Sequence, residues 1–268
     1  MTSDSDEPTT ARSVGSSRSR GLPLWAETVL LLVGAVVLAL LIKTFLVQAF
    51  FIPSVSMEPG LEEDDRILVE KWSGWFGGEP ERGDVVVFED PGGWLTAGEV
   101  QEPTNPLGSF FARIGLLPTG GHLVKRVVGV PGDVIQCCDD QGRLTVNGVP
   151  LEEDGYVLED KAAQCRGPMT GNCDWTSGPV PEGTVFVMGD NRVNSADSTV
   201  HLCLEDETEC VPGDEFVPVE LITGRLWTTV WPFENFGGPE ETDAFDDVPD
   251  RSDDAPASAA SLASSGSR

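Results

Sequence analysis

An uncharged run of fifteen residues, Thr28 to Ile42 (TVLLLVGAVVLALLI), constrains this chain more than any other feature, because a helix of that composition has no polar face to present to water. Apolar character resumes after Lys43 in TFLVQAFFI. A bilayer core needs roughly 20 residues of helix, which the segment supplies if Glu27 and Lys43 reach toward the interfaces. The sequence therefore predicts one transmembrane helix over 23–48. Arg12, Arg18 and Arg20 precede it, so the positive-inside tendency puts the N-terminus in the cytoplasm and the bulk of a single-pass plasma-membrane protein outside, although Lys43 opposes this. A cleavable signal peptide ending at Val47-Gln48-Ala49 is the competing reading, and the apolar stretch running through that site argues against it.

Residues 1–22 are small, polar and aperiodic, and are expected to form a disordered cytoplasmic tail. From 49 to 236 short apolar runs alternate with turns. Arg66–Lys71, Asp84–Phe88, Leu123–Val130, Val134–Ile135, Leu144–Val146, Thr184–Met188 and Phe216–Val219 read as strands. No long 3.6-period segment follows the anchor, so a mainly β extracytoplasmic domain is predicted. Two insertions interrupt it. The one at about 90–121 is rich in Gly and Pro but carries Trp94, Leu95, Phe110, Phe111, Ile114, Leu116 and Leu117, which either cover the core or rest on the bilayer. The other, at about 152–181, holds Cys165 and Cys173 and reads as a disulfide-trimmed loop. An acidic tail over 237–268 is expected to be disordered.

Acidic residues number 45 against 17 basic ones, a formal net charge of −28, which repels phosphate backbones and excludes a nucleic-acid partner. All six cysteines lie beyond the apolar run. In an oxidising compartment up to three disulfides are open to them, with Cys165–Cys173 and Cys203–Cys210 closing short loops; a bridge between the neighbours Cys137 and Cys138 is expected to be strained. Zinc is the weaker reading, since no CxxC pair occurs and the only histidines are His122 and His201.

Three segments carry potential chemistry. In IPSVSMEPGL, Ile52 to Leu61, Ser54 and Ser56 lie between stiffening prolines, but a hydroxyl needs a base before it is a nucleophile, and an ordinary serine turn fits equally. In HLVKRVVGVPGD, His122 to Asp133, Lys125 sits in an apolar strand with Arg126 directed to the opposite face. An inward Lys125 would be desolvated toward the neutral amine a general base requires, or else would be a structural lysine paired with a carboxylate. In GTVFVMGDNRVNSADST, Gly183 to Thr199, a strand runs into a polar turn where Arg192 has carboxylates nearby and Ser195 is able to orient a lysine.

In order and in distance from the anchor, these segments resemble bacterial type I signal peptidase, the leader peptidases. The resemblance rests on Pro53 to Pro59, Arg82 to Phe88, Lys125 to Asp133 and Gly189 to Ser198, and spans about Leu24 to Phe236. It implies a membrane-anchored Ser-Lys protease domain of small antiparallel sheets that needs no metal or cofactor. Ser56 would be the nucleophile and Lys125 the general base; Ser54 and the Ser56 N–H would form the oxyanion hole. Ser195 would orient the lysine, Asp190, Arg192 and Asp197 would scaffold the site, and Met57 would line the substrate groove. Secretory preproteins with small side chains one and three residues before the cleavage site would be the substrates, and the lipid bilayer a second partner. Val55, Gly60, Val193 and Thr199 depart from the residues common in the family, the last two being expected to weaken the charged scaffold.

The competing classes fit less well. A self-cleaving repressor has no anchor, and its DNA-binding partner domain conflicts with the charge. A specialised pilin or surface-protein peptidase shares all the motifs. A preprotein-binding module would have no reason to keep Ser56, Lys125 and Ser195. No cysteine has a patterned base, and neither histidine stands in a triad motif.

Overall fold

In the computed structural model the described residues are 23–75, 77–95, 121–158, 173–203, 210–240 and 242–250. The expected N-terminal tail, Cys165, and most of the first insertion with Phe110, Phe111, Ile114, Leu116 and Leu117 lie outside them. The chain divides into two units, residues 1–40 and 41–268.

The first unit consists, in its described part, of helix α1, which spans Leu24–Phe45 and continues past the unit boundary. Its Leu24–Ile42 stretch has a mean hydropathy of 2.4 and none of it is buried against protein, as an apolar cylinder surrounded by lipid would be. The helix stops short of the expected 48. Val47 and Gln48 instead open strand β1, Val47–Phe51, where Val47 lies opposite Glu70 and Gln48 opposite Val69. The reason is the residues themselves: VQAFF is rich in β-branched and aromatic side chains that fit a pleated surface, and a partner strand is available.

The second unit is mainly β. Strands β1, β2 (Arg66–Glu70), β3 (Val85–Glu89), β4 (His122–Gly129), β9 (Thr184–Met188), β10 (Phe216–Pro218) and β11 (Ile222–Trp231) form an antiparallel sheet ordered β1-β2-β11-β3-β4-β9-β10. A second antiparallel sheet is ordered β7-β6-β5-β8, from β5 (Ile135–Cys137), β6 (Thr145–Val146), β7 (Val149–Pro150) and β8 (Trp175–Ser177). Phe50, Ile67, Val69, Val85, Val87 and Leu226 make one apolar cluster on the larger sheet, and Val86, Phe88, Val127, Val185, Val187 and Val217 make another from the alternate positions. Ile135, Val146, Trp175, Phe186 and Met188 join the smaller sheet to β9. Strand β11, which the sequence reading does not identify, lies between β2 and β3. Gly224 lets it do so: a Cβ there would strike the Glu70 carbonyl and Val69.

Three further expectations meet the structure with different outcomes. Trp94 is buried edge-on to Phe88, and Leu95 packs beside it, so the start of the first insertion covers the core. The second insertion contains β8 and the buried residues Glu153, Tyr156 and Val157, so it is more than a trimmed loop. Cys203 is bonded to Cys210 as expected, Cys137 is bonded to Cys138 despite the expected strain, and Cys173 is disulfide-bonded too.

Of the tail expected to be disordered from 237, residues 242–250 form a docked segment. Phe245 and Val248 join the core between the sheets, and Arg82 donates to the Val248 and Pro249 carbonyls and to Asp250. Two apolar side chains among acids are enough here because the core offers them a site. Phe245→Ala is expected to destabilise the protein by about 3 kcal/mol, seen as a lower melting temperature in detergent; an unchanged melting temperature would mean that the docking contributes nothing.

Candidate active site

Chain direction brings the serine segment to the domain directly after β1. Ser54 adopts an extended conformation (φ −142°, ψ 154°), and Val55–Met57 make one 3-10 turn, closed by the Glu58 N–H on the Val55 carbonyl at 3.1 Å. Val55 keeps a negative φ, as a β-branched residue requires. Ser56 is 9% exposed, Ser54 is exposed, and their hydroxyl oxygens are 3.3 Å apart. Met57, expected to line a groove, is instead buried with Phe50, Ile52 and Leu61; a side chain without free surface supports the turn from beneath.

Strand β4 delivers the lysine. Pairing with β3 sets Lys125 opposite Val86 and Arg126 opposite Val85, so the two side chains leave opposite faces of the sheet. Lys125 is 3% exposed. Its Nζ is hydrogen-bonded to Ser56 Oγ at 2.8 Å and donates to the Val124 carbonyl at 3.0 Å. The two residues, 69 positions apart in the chain, are thus brought into direct contact in a largely dry site.

The turn after β9 completes the surroundings. Asn191 donates from its backbone N–H to the Ser56 carbonyl at 3.1 Å and from Nδ2 to the Val55 carbonyl at 2.9 Å, fastening one turn to the other. Gly189 lies between Ser195 and Ser56: a Cβ at that position would collide with Ser195 Oγ and the Ser56 carbonyl oxygen. Ser195 Oγ donates to Asp197 Oδ2 at 2.6 Å, and the same carboxylate accepts from the Gly189 N–H at 2.9 Å and from the Thr199 N–H and hydroxyl at 3.0 and 2.7 Å. Thr199, expected to weaken the charged scaffold, gives Asp197 two donors. Val193 is 41% exposed and carries no such duty.

Asp190 and Arg192 are both buried, the Arg192 N–H meets the Asp190 carbonyl at 3.2 Å, and each side chain also forms an ion pair with a residue from elsewhere in the chain. Asp190 accepts a two-pronged ion pair from Arg126, Nε to Oδ1 at 2.8 Å and Nη2 to Oδ2 at 2.7 Å. Arg192 donates to Glu153 Oε1 at 2.6 Å and Oε2 at 3.1 Å, and its Nε donates to the Gly189 carbonyl. Tyr156 lies between the pairs, with its hydroxyl on Glu153 Oε1 at 2.7 Å and the Arg126 guanidinium 4.4 Å from its ring centre. Burial, and then the Glu153 charge, push the Tyr156 phenol well above its ordinary pKa, so it stays a donor. Desolvation works against the Arg126 charge, yet hydrogen bonding and attraction to Asp190 outweigh it and raise its pKa. Arg126, Glu153, Tyr156 and Asn191 are the site residues sequence reasoning missed. His201 stacks on Trp94 and His122 packs against Phe50.

A family model described as signal peptidase, peptidase S26, matches residues 25–231. The chain belongs to that family. Signal peptidase I of Mycobacterium tuberculosis (strain CDC 1551 / Oshkosh) is 38% identical over 250 residues, covering 87% of this chain and 82% of the relative. Signal peptidase I of Leptolyngbya laminosa is 35% identical over 242 residues, covering 88% and 96%. Membership makes the chain a membrane-bound serine endopeptidase of the signal-peptide-cleaving class, and among the described residues one helix is long and apolar enough to cross a membrane. The mainly β unit after an apolar helix agrees with the expected fold.

Proposed function

We propose that the chain removes N-terminal signal peptides from exported preproteins after a small-x-small motif, with Ser56 as nucleophile and Lys125 as general base. The observation that carries this is the 2.8 Å hydrogen bond between Ser56 Oγ and a lysine amine shielded from water. Ser56 Oγ attacks the scissile carbonyl carbon as Lys125 Nζ takes the hydroxyl proton. The carbonyl oxygen becomes an oxyanion held by the Ser54 hydroxyl and the Ser56 N–H. The lysine then gives its proton to the leaving amine, the C–N bond breaks, and an ester to Ser56 remains. Water, deprotonated by the same lysine, attacks the ester carbonyl; the C–O bond to Ser56 breaks, the lysine returns that proton to Ser56 Oγ, and the signal peptide leaves with a free carboxylate.

The neighbours support these roles. Ser195, whose proton is committed to Asp197, offers lone pairs to a lysine N–H and so suits the orienting role. Asp190, Arg192 and Asp197 scaffold the turn through their hydrogen bonds. Strand β1 is an edge of the larger sheet and leads directly to Ser56, so an extended preprotein segment is able to add alongside it. Trp227, Trp231, Phe233 and Phe236 are exposed aromatic side chains of the kind that settle at a bilayer interface. With the N-terminus cytoplasmic, the β unit meets preproteins on the outer face.

The test is cleavage of a preprotein ending its signal peptide in Ala-x-Ala by the detergent-solubilised full chain. The native protein is expected to cut after the last alanine and Ser56→Ala to be inactive. Ser54→Ala should retain activity reduced roughly 100-fold, the effect of losing one oxyanion donor. Processing by Ser56→Ala at the native rate would remove the assignment.

A further inference from the structure

The polar turn Gly189 to Arg192 touches the nucleophile's turn on one side through Asn191. On its other side it is gripped by the segment carrying Glu153 and Tyr156. Arg192, anchored on Glu153, holds the Gly189 carbonyl with its Nε at 2.9 Å, and the Leu158 N–H holds the Asp190 carbonyl at 2.9 Å. The Gly189 peptide also bears on Asp197, which fixes Ser195.

We propose that Glu153, clamped by the Tyr156 hydroxyl, is a positioning residue for the cleavage reaction, setting through Arg192 where Ser56 and Ser195 stand; this rests on the Ser56–Lys125 reading above. Two features make the role specific. Glu153 is 5% exposed and Arg192 6%, so their pairing is not a solvated surface contact that water would replace. Arg126 and Arg192 are two buried cations near one another that repel, each lowering the other's tolerance of burial unless Asp190 and Glu153 both carry charge. Tyr156 keeps the two pairs apart, offering Arg126 its ring face and Glu153 its proton. In this arrangement Arg126, Asp190, Glu153, Tyr156 and Arg192 all have partners, and it places Asn191 on Ser56.

A residue acting this way influences the chemical step and leaves peptide binding along the β1 edge alone. The experiment measures kcat and KM of the full chain in detergent on the Ala-x-Ala preprotein for Glu153→Gln, Glu153→Asp and Tyr156→Phe, with melting temperature and Ser56→Ala alongside. Expected are a kcat about tenfold lower for Glu153→Gln, a smaller loss for Glu153→Asp because it keeps the charge, a loss of about threefold for Tyr156→Phe, and KM within twofold throughout. If Glu153→Gln does not fold, Glu153→Asp and Tyr156→Phe decide by the same criterion. Folded variants with native kcat, or variants that melt lower while turning over at the native rate, overturn the proposal and leave a stabilising role alone. Processing that does not depend on Ser56 would instead overturn the catalytic reading and this proposal together.

Discussion

Lys125→Arg is expected to yield a folded protease with no measurable processing, at least about a thousandfold below the native rate. The substitution keeps a positive charge beside Ser56 but replaces an amine that can accept a proton with a guanidinium that stays protonated at any usable pH. If Lys125 served only to attract an oxyanion, arginine would serve nearly as well. Lys125→Ala should be equally inactive, since Ser56 would then lose the amine 2.8 Å from its hydroxyl that takes its proton. The double variant Ser56→Ala/Lys125→Ala should be no worse than either single one, because residues that act as a unit lose their effect together. The native rate should climb with pH, as only the unprotonated amine can act. Single-turnover cleavage of the Ala-x-Ala preprotein checks all of this, and substantial activity in Lys125→Arg would end the general-base assignment.

What could be read in the sequence was whatever is local. Ser56 and Lys125 stand in short motifs, and most strands announce themselves as runs such as VVVF and TVFVM. Strand β1 was hidden because its apolar residues continue those of the helix, and β11 because ITGRLWTTVW mixes Gly, Arg and Thr into a strand whose two neighbours lie far away in sequence. Partner choice was the least legible part. Arg192 has acidic residues close by in the chain, yet its partner is Glu153, in a stretch that looked like loop and in a chain with 45 acidic residues to choose from. The available signal was Tyr156, the only tyrosine of the chain, three positions beyond that glutamate. Phe245 and Val248 were overlooked for the opposite reason, since acidic composition outweighed two apolar side chains whose value appears only against the core.

Arg126→Leu is expected to give the largest loss of stability of any single change around the site. Asp190 would keep its burial, 1% exposed, and lose both prongs of its ion pair, and an uncompensated buried charge costs about 3–5 kcal/mol. For a unit of this size that corresponds to a melting temperature lower by about 10 °C. Arg126 also donates to the Gly83 carbonyl at 2.9 Å and the Glu240 carbonyl at 3.4 Å, so the docked C-terminal segment should loosen as well. Asp190→Asn should be milder, because an amide oxygen still accepts from the guanidinium, although Arg126 then lacks a full countercharge. The pair Arg126→Leu/Asp190→Leu tests the cause. Removing both charges removes the desolvation penalty, so the double variant should melt higher than Arg126→Leu alone, while activity stays low because the turn carrying Asn191 has lost its anchor. Melting temperature and processing rate would then separate, stability recovering and catalysis not. Recovery of both would mean that the Asp190 turn finds its place by apolar packing, and no recovery of stability would mean that Arg126 acts mainly through its contacts to Tyr156, Gly83 and Glu240.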